Sequence, residues 1–131
     1  MPKSVGDLDA IHHSLKTLLL ELETVSGSTL QGRSVSNLDF DLWSVRDVVI
    51  DGRDRRELFF AGIRRQKACV AFYYFPLYVL PSLATSLGTS LTKLLKGKTC
   101  FHLKALDDDL LVQIREALNL GITNYRERGW V

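Results

Sequence analysis

The N-terminal region carries apolar residues at spacings of three and four, which places them on one face of a helix. They are Leu8, Ile11, Leu15, Leu18, Leu22 and Val25. Ser4 or Asp7 can cap the start of this helix, and Gly27 can end it. Because the apolar stripe is short for a coiled coil, we interpret it as the surface through which the helix packs on a core.

The next part of the chain changes to the patterns of loops and strands. Residues 26–37 are polar and rich in Gly and Ser, which predicts a surface loop. A half-buried strand is predicted where apolar residues alternate with polar ones, at Leu38, Phe40 and Leu42. Residues 48–50 form a further strand candidate, which ends at the turn signal Asp51-Gly52.

Two apolar and aromatic runs, residues 57–65 and 68–80, flank a short polar break at residues 64–67. This arrangement predicts a β-hairpin. The second run is apolar at successive positions, so both of its faces are apolar. We therefore place it at the centre of the sheet and expect it to be covered on both sides.

The last third of the chain predicts two helices around one more strand. Pro81 can open a short helix that ends at Gly97, with Leu91, Leu94 and Leu95 facing inward. Residues 99–104 are predicted as a strand. Residues 107–109 are three aspartates, whose carboxylates favour the N-terminus of a final helix. The apolar face of that helix comprises Leu110, Leu111, Ile114, Leu118 and Ile122.

These patterns predict one α+β domain over residues 1–131. We expect an antiparallel sheet of about five strands, packed with an N-terminal helix, a short helix after Pro81 and a C-terminal helix. A chain of 131 residues with 46% apolar composition can bury enough surface to fold without a metal or a disulfide.

Charge and targeting signals narrow the classes of partner. The formal net charge of +2 disfavours a general attraction to nucleic acid or to anionic lipid. The uncharged stretch 68–92 is interrupted by Pro76 and Pro81, so we predict a buried strand and a turn rather than a membrane span. No secretory signal is visible. The two cysteines, Cys69 and Cys100, are interpreted as buried thiols of a cytoplasmic protein.

Three short motifs suggest ligand chemistry, but each has a structural interpretation that we prefer. Gly97-Lys98-Thr99 resembles the end of a phosphate-binding loop, yet the order of helix, glycine and strand is reversed, which favours a helix C-cap. The aspartates at 107–109 favour capping over cation binding. Asp9, His12 and His13 share a helix surface but make too few ligands for a tight site. We therefore predict no metal site.

Catalysis and nucleic-acid binding are also disfavoured. Cys100 and His102 fall on the same face of a predicted strand, as a zinc ligand pair or a nucleophile with its base would. No second cysteine pair and no orienting group is assignable, so we predict no catalytic residue and leave the cofactor open. The arginines between residues 53 and 67 alternate with acidic residues, which favours a solvated sheet edge over a nucleic-acid site.

The aromatic stretch from residue 72 to 78 is the strongest candidate for a pocket wall, although core packing is the more frequent use of such a stretch. We predict a non-enzymatic binding module for a small molecule. Metal handling, an enzyme using Cys100 and His102, and a homodimer are the alternatives. The candidate ligand-binding residues are Tyr73, Tyr74, Tyr78, Lys98 and His102.

Four segments in the second half of the chain form a recognisable set. They are Leu58-Phe59-Phe60-Ala61-Gly62-Ile63; Val70-Ala71-Phe72-Tyr73-Tyr74-Phe75-Pro76-Leu77-Tyr78; Leu91 with Lys96-Gly97-Lys98-Thr99-Cys100-Phe101; and Tyr125-Arg126 with Gly129-Trp130. Together, over residues 57–131, they resemble the YdhG-like family of small bacterial domains of unknown function. The resemblance implies a bacterial cytosolic α+β protein with helices packed on an antiparallel sheet.

Some relatives in that family resemble frataxin-type iron chaperones, so the resemblance also implies a metal-handling alternative. Such a role requires an acidic ridge that supplies oxygen ligands. The first predicted helix carries only Asp7, Asp9, Glu21 and Glu23, divided between its two ends. The resemblance supplies no catalytic residues.

Overall fold

The protein forms an antiparallel sheet with its two long helices on one face. The computed structural model describes residues 7–25, 30–34, 36–45, 47–50 and 52–131. In chain order the elements are α1 (Leu8–Val25), β1 (Leu30–Arg33), β2 (Asp39–Ser44), β3 (Val48–Ile50), β4 (Arg53–Arg55), β5 (Leu58–Arg65), β6 (Val70–Tyr74), α2 (Pro76–Val79), a 3₁₀ helix (Pro81–Ser86), α3 (Thr89–Thr92), β7 (Leu95–Lys96), β8 (Cys100–Leu103) and α4 (Asp108–Glu127).

The main sheet has six strands in the order β1-β2-β5-β6-β8-β7, and every neighbouring pair is antiparallel. Strands β3 and β4 form a separate hairpin. The predicted α+β class and the two terminal helices are confirmed, and the segment after the predicted start at Pro81 is helical as a 3₁₀ helix followed by the short α3. The hairpin of β5 and β6 lies at the centre of the sheet, also as predicted.

The main sheet has one strand more than expected, since β1 and β7 join it as edge strands while the predicted strand 48–50 pairs with β4 in the separate hairpin. β1 lies inside the predicted loop 26–37, and Leu30 is the one apolar, buried residue among the four of this strand. Gly32 permits the close approach of β1 to its neighbours, because a Cβ there would stand 2.5 Å from the Phe40 ring. Gly27, Ser4 and Asp51, which we expected at a helix end, a cap and a turn, lie outside the described residues.

β7 is the second correction, and it changes the role of Gly97. Leu95 and Lys96 pair with Phe101 and Cys100 of β8 instead of continuing a helix. Gly97 has a φ of 79°, a left-handed conformation that suits a tight hairpin loop. Gly97-Lys98-Thr99 is therefore the turn of a hairpin, and the helix C-cap that we predicted there is wrong.

The core lies between the sheet and the helices α1 and α4. Helix α1 contributes Ile11, Leu15, Leu18 and Leu19, all buried. Helix α4 contributes Leu110, Ile114, Ala117, Leu118, Ile122 and Tyr125. The hydroxyl of Tyr74 donates a hydrogen bond to the Ala117 carbonyl oxygen, and that of Tyr125 donates to the Phe59 carbonyl oxygen at 2.9 Å. These two bonds attach α4 to the central strands.

Aspartate caps both long helices; Asp7 was one of the two candidates for the start of α1, and the aspartates at 107–109 were expected at the start of α4. The Asp7 carboxylate accepts from the backbone N–H of Asp9 at 2.9 Å. The Asp107 carboxylate accepts from the backbone N–H of Leu110 at 2.8 Å. Both bonds satisfy donors that the first turn of a helix leaves without a partner.

β6 differs from expectation on its second face. Phe72 and Tyr74 point toward the helices, whereas Tyr73 points to the opposite face and is partly exposed. Ala71 on that face is 0% exposed and lies between its register partners Arg64 and His102. An apolar run can thus be shielded by large side chains on neighbouring strands as well as by a second layer of helices.

No helix among the described residues is long and apolar enough to cross a membrane.

Candidate functional site

The five predicted ligand residues do not converge on one pocket. Tyr74 is 0% exposed in the core, with its hydroxyl bonded to a backbone oxygen, so it is a structural residue. Tyr73 lies on the sheet face opposite α1 and α4, which we call the open face. Tyr78 and Lys98 line one groove together, and His102 lines another.

A row of four aromatic rings runs along one end of the open face. Trp43 pairs with Phe59 in the sheet register, and their ring centroids are 5.2 Å apart. Phe75 follows at 5.9 Å from Phe59, and Tyr78 stacks on Phe75 at 5.1 Å. Trp43, Phe59 and Phe75 are partly exposed, and Tyr78 is 53% exposed. We call these four residues the aromatic row.

Charged side chains at the centre of the open face are compensated. The guanidinium of Arg64 binds both carboxylate oxygens of Asp41, at 2.7 and 3.0 Å, and lies 5.8 Å from the centroid of the Tyr73 ring. Asp39 lies 3.6 Å from the same guanidinium. The hydrogen bond to Asp41 raises the pKa of Arg64. The charges of Arg64, Asp39 and Asp41 therefore largely offset one another, and the centre of the open face is polar without a large net charge.

A second ion pair lies beside the aromatic row. The guanidinium of Arg33 binds the carboxylate of Glu57 at 2.6 and 3.0 Å, and it lies 5.4 Å from the centroid of the Trp43 ring. The hydrogen bond from Arg33 lowers the pKa of Glu57. The arginines near the aromatic row are thus occupied by carboxylates.

The other edge of the sheet has a different electrostatic character. Around β8, β7, α3 and the start of α4 is a groove of about 590 Å³. Its basic side chains are Lys93, Lys96, His102 and Lys104, and we call it the lysine groove. Leu94, Ala105 and Leu110 supply its apolar part. Among the described residues, no carboxylate lies within ion-pair distance of its three ammonium groups.

The carboxylates nearest the lysine groove have other partners. Asp107 lines the groove but accepts the capping hydrogen bond from Leu110. Asp109 accepts from the Ser90 hydroxyl at 2.9 Å and from the Gln113 amide at 3.0 Å. The Ser90–Asp109 bond attaches α3 to α4, and the three bonds together hold the two acidic groups in fixed positions. The positive charge of the three lysines is left largely uncompensated.

The groove that contains Tyr78 and Lys98 has a volume of about 460 Å³. Leu77 and Pro81 line it from the segment after β6, and Leu95 lines it from β7. Lys98 sits in the hairpin turn between β7 and β8, so this groove connects the end of the aromatic row to the basic edge. Of the five predicted ligand residues, Tyr78 and Lys98 are the two that line this groove together.

Cys100 and His102 share the open face of β8 at a spacing of two residues. Burial raises the pKa of the Cys100 thiol, and a hydrogen bond with Tyr73 opposes that rise. The thiol is therefore kept protonated at neutral pH, whereas a nucleophilic cysteine needs a lowered pKa. Cys69 and Cys100 are both free, and Cys100 is paired in the register with Tyr73 rather than with Cys69.

The histidines of α1 do not form a metal centre. His12 is 9% exposed and its Nε2 has no hydrogen-bond partner, while His13 is exposed. The Asp9 carboxylate binds Arg65 at 3.0 Å. Within the part of the chain that the structure describes, no group of three His, Cys, Asp or Glu side chains is arranged to hold a metal ion.

Sequence reasoning missed most of these two surfaces. No prediction covered Trp43, Phe59 was predicted only as part of a strand, and Lys93 and Lys96 fell within the helix expected before Gly97. The available signal was the alternation of Trp43 with the inward-facing Phe40 and Leu42, which places Trp43 on the opposite side of the sheet. The lysines gave no such signal, because the helix that we expected to end at Gly97 would not have placed them beside His102.

The chain was also compared with protein-family models, curated proteins and solved structures, and none of the three comparisons found a significant match. The similarity to the YdhG-like family therefore stays a prediction from the sequence.

Proposed function

We propose that this protein is a non-enzymatic binding module whose ligand places an anionic group in the lysine groove. The observation that carries the proposal is the clustering of Lys93, Lys96 and Lys104 with His102 around one concavity. Ammonium groups without carboxylate partners gain most from an anion that binds between them, since no existing ion pair has to be broken.

The size and lining of the groove favour a small ligand with both charged and apolar parts. Its volume of about 590 Å³ lies within the usual range for small-molecule sites, roughly 300 to 1,000 Å³. Leu94 and Leu110 offer apolar contact to a hydrocarbon or aromatic portion of the ligand. A carboxylate or phosphate attached to a small apolar body fits this combination.

The alternatives receive less support from the same residues. Iron prefers oxygen and imidazole ligands, and three ammonium groups would repel a cation from His102. An enzyme using Cys100 requires the thiolate, which burial disfavours here. A binding role without a covalent step agrees best with a protonated thiol and a positively charged groove.

Isothermal titration calorimetry with inorganic pyrophosphate and with benzoate tests the proposal. These probes separate the contribution of the anionic group from that of the apolar body. The informative variant is the double substitution Lys96→Ala with Lys104→Ala, since both lysines are exposed and their removal should leave the fold intact. The matched control is Arg53→Ala with Arg126→Ala, which removes two exposed cations outside the groove.

We expect the groove variant to bind pyrophosphate about tenfold or more weakly, which corresponds to about 1.4 kcal/mol, and the control to bind within about twofold of the unmodified protein. If neither pyrophosphate nor benzoate binds at millimolar concentration, the proposal is contradicted. Equal weakening in both double variants would also contradict it, because it would show general charge attraction rather than a site.

A further inference from the structure

The lysine groove and the aromatic row belong to one continuous surface. A single line of register partners crosses the sheet, from Lys96 through Cys100, Tyr73 and Gly62 to Asp41. Side chains of residues directly opposite each other in neighbouring strands point to the same face. Lys96 and Tyr73 therefore lie on the open face, and the aromatic row lies beside the same line.

The length of this surface exceeds what one small molecule needs. The path from β7 to β2 crosses four strand spacings of about 4.8 Å, which gives about 19 Å. The path begins at the basic β7 edge, and the aromatic row runs beside it as far as Trp43 on β2. A ligand that covers both the basic edge and the row must carry negative charge and flat apolar groups at separate points along its length.

We propose that the open face binds single-stranded nucleic acid, with a phosphate in the lysine groove and bases against the aromatic row. This inference rests on the proposed anion site and names the class of ligand that would occupy it. Proteins that bind single strands combine a positively charged groove with aromatic side chains on which bases stack. Single strands, unlike duplexes, present their unstacked base faces to such rings.

The distribution of charge explains why the sequence disfavoured nucleic acid. That expectation rested on the net charge of +2 and on the arginines interleaved with acidic residues. In the structure, Arg64 is paired with Asp41 on the open face, and the cations of the lysine groove come from a different part of the chain. A small net charge thus conceals a basic edge beside exposed rings.

The geometry of the aromatic row also favours a stacking ligand. Tyr78 is 53% exposed at the end of the row and lies beside Lys98 in the hairpin turn. Trp43 stands at the other end, with the Arg33 guanidinium over its ring. Bases can stack on such rings and on arginine planes without a sequence-specific hydrogen bond, so we expect weak sequence preference.

Fluorescence anisotropy with a labelled oligothymidylate of about ten nucleotides tests the inference directly. A Trp130→Phe protein leaves Trp43 as the sole tryptophan, so quenching of its emission reports contact at the aromatic row. The test variants are Tyr78→Ala and the Lys96→Ala with Lys104→Ala double substitution. Val49→Ala, at a site 61% exposed and on the separate β3–β4 hairpin, is the control for a lost apolar side chain.

We expect saturable binding at low ionic strength that weakens as salt is added, with quenching of Trp43. Tyr78→Ala should lower the affinity about fivefold or more, as should the lysine double variant, whereas Val49→Ala should not. A DNA hairpin duplex of equal phosphate count should bind more weakly. Circular dichroism and thermal unfolding of each variant verify that the fold is retained.

Several results would overturn the inference. If the protein binds pyrophosphate but no oligonucleotide, the inference is wrong and the lysine groove is still an anion site. If it binds neither, the proposed function is wrong as well. Oligonucleotide binding without quenching of Trp43 would place the strand elsewhere. A glutamate-rich peptide of similar charge that binds as tightly as the oligonucleotide would assign the face to acidic proteins instead.

Discussion

At the scale of single residues, the open face depends on the absence of one side chain. Gly62 lies at the centre of β5, between its register partners Asp41 and Tyr73. A Cβ at this position would stand 2.1 Å from Oδ1 of Asp41 and 3.1 Å from the Phe59 ring. The Asp41 carboxylate and the Phe59 ring therefore lie over the bare backbone of Gly62. Glycine here permits close side-chain packing rather than an unusual backbone angle.

We predict that Gly62→Ala destabilises the protein by about 1–3 kcal/mol, because overpacking displaces well-placed neighbours. Asp41 cannot move without disturbing its two hydrogen bonds to Arg64. Urea denaturation of the variant measures the change in the free energy of unfolding. Ser86→Ala, at an exposed position, should stay within about 0.5 kcal/mol. An unchanged midpoint for Gly62→Ala would show that Asp41 and Phe59 shift freely.

His12 leads to a prediction about pH. Burial, followed by the nearby charge of Lys16, lowers its pKa from the ordinary value of 6.5, and these effects outweigh the opposing influence of the Leu38 backbone on that pKa. The unfolded chain therefore binds the proton more tightly than the folded protein does. The stability present above about pH 6.5 is lost as the pH falls below that value.

The substitution His12→Leu should remove this acid sensitivity between about pH 7 and 5.5, where carboxylates with ordinary pKa values stay ionised. The Leu38 carbonyl oxygen still accepts from the backbone N–H of Arg65 at 2.7 Å, so it is not left without a donor. Thermal unfolding across that pH range compares the two proteins. His13→Leu, at an exposed histidine of the same helix, is the control. Equal pH slopes for all three proteins would refute the assignment.

At the scale of elements, the start of α4 serves stability and electrostatics together. Asp107 caps the helix through its hydrogen bond with Leu110, and the same side chain lines the lysine groove. Its negative charge offsets part of the positive potential there. Lys104, just after β8, and Asp107, at the start of α4, thus place opposite charges in the same groove, and the aspartate reduces the net positive charge there.

Two substitutions at this position should separate the two roles of Asp107. Asp107→Ala removes the cap and should cost about 1 kcal/mol of unfolding free energy, whereas Asp107→Asn keeps a good cap and should cost much less. Both changes remove the carboxylate, so both should strengthen pyrophosphate binding. Urea denaturation and calorimetry provide the two measurements. Weaker pyrophosphate binding in Asp107→Asn would contradict the proposed position of the anion.

At the scale of the whole molecule, two tyrosine hydroxyls connect α4 to the sheet beneath it. Tyr125 and Tyr74 are both 0% exposed, and each donates to a backbone oxygen of the opposite layer. Burial raises the pKa of both phenols. The acceptor of Tyr125 is the carbonyl of Phe59, whose ring belongs to the aromatic row, so helix packing and the open face share one strand.

We predict that Tyr125→Phe lowers the free energy of unfolding by about 1–2 kcal/mol, since the hydrogen bond from the buried tyrosine to the Phe59 carbonyl is lost while the ring packing stays the same. Tyr78→Phe, which removes an exposed hydroxyl, should change it by less than about 0.5 kcal/mol. Chemical denaturation of both variants measures the difference. Equal stability of the two variants would show that the Tyr125 hydroxyl contributes nothing to the attachment of α4.

Most elements could be predicted because their patterns are local. The spacing of Ile11, Leu15 and Leu18 indicates a helix whatever lies around it, and the aspartates at 107–109 indicate a helix start. β1 and β7 could not be predicted in this way. Their short sequences carry almost no periodicity, and they are strands only because a neighbour in the sheet supplies hydrogen bonds to an otherwise unpaired edge.

The candidate site was predictable only in fragments. Tyr78 and Lys98 are adjacent as the aromatic-pocket hypothesis required, but Tyr74 faces the core and His102 lies in the lysine groove. Neighbouring residues of a strand point to opposite faces, so Tyr73 and Tyr74 could not both line one pocket. Which of the two faces the helices occupy depends on contacts that are distant in sequence.

The sequence by itself determined the α+β class, the two long helices with their aspartate caps and the central hairpin, because these follow from residue spacing and backbone preference. The tertiary structure alone decided that α1 and α4 pack on the same face of the sheet, that Trp43 and Phe59 form a row with Phe75, and that Lys96, His102 and Lys104 meet in one groove. Register and packing bring together residues far apart in the chain, and no local pattern encodes that arrangement.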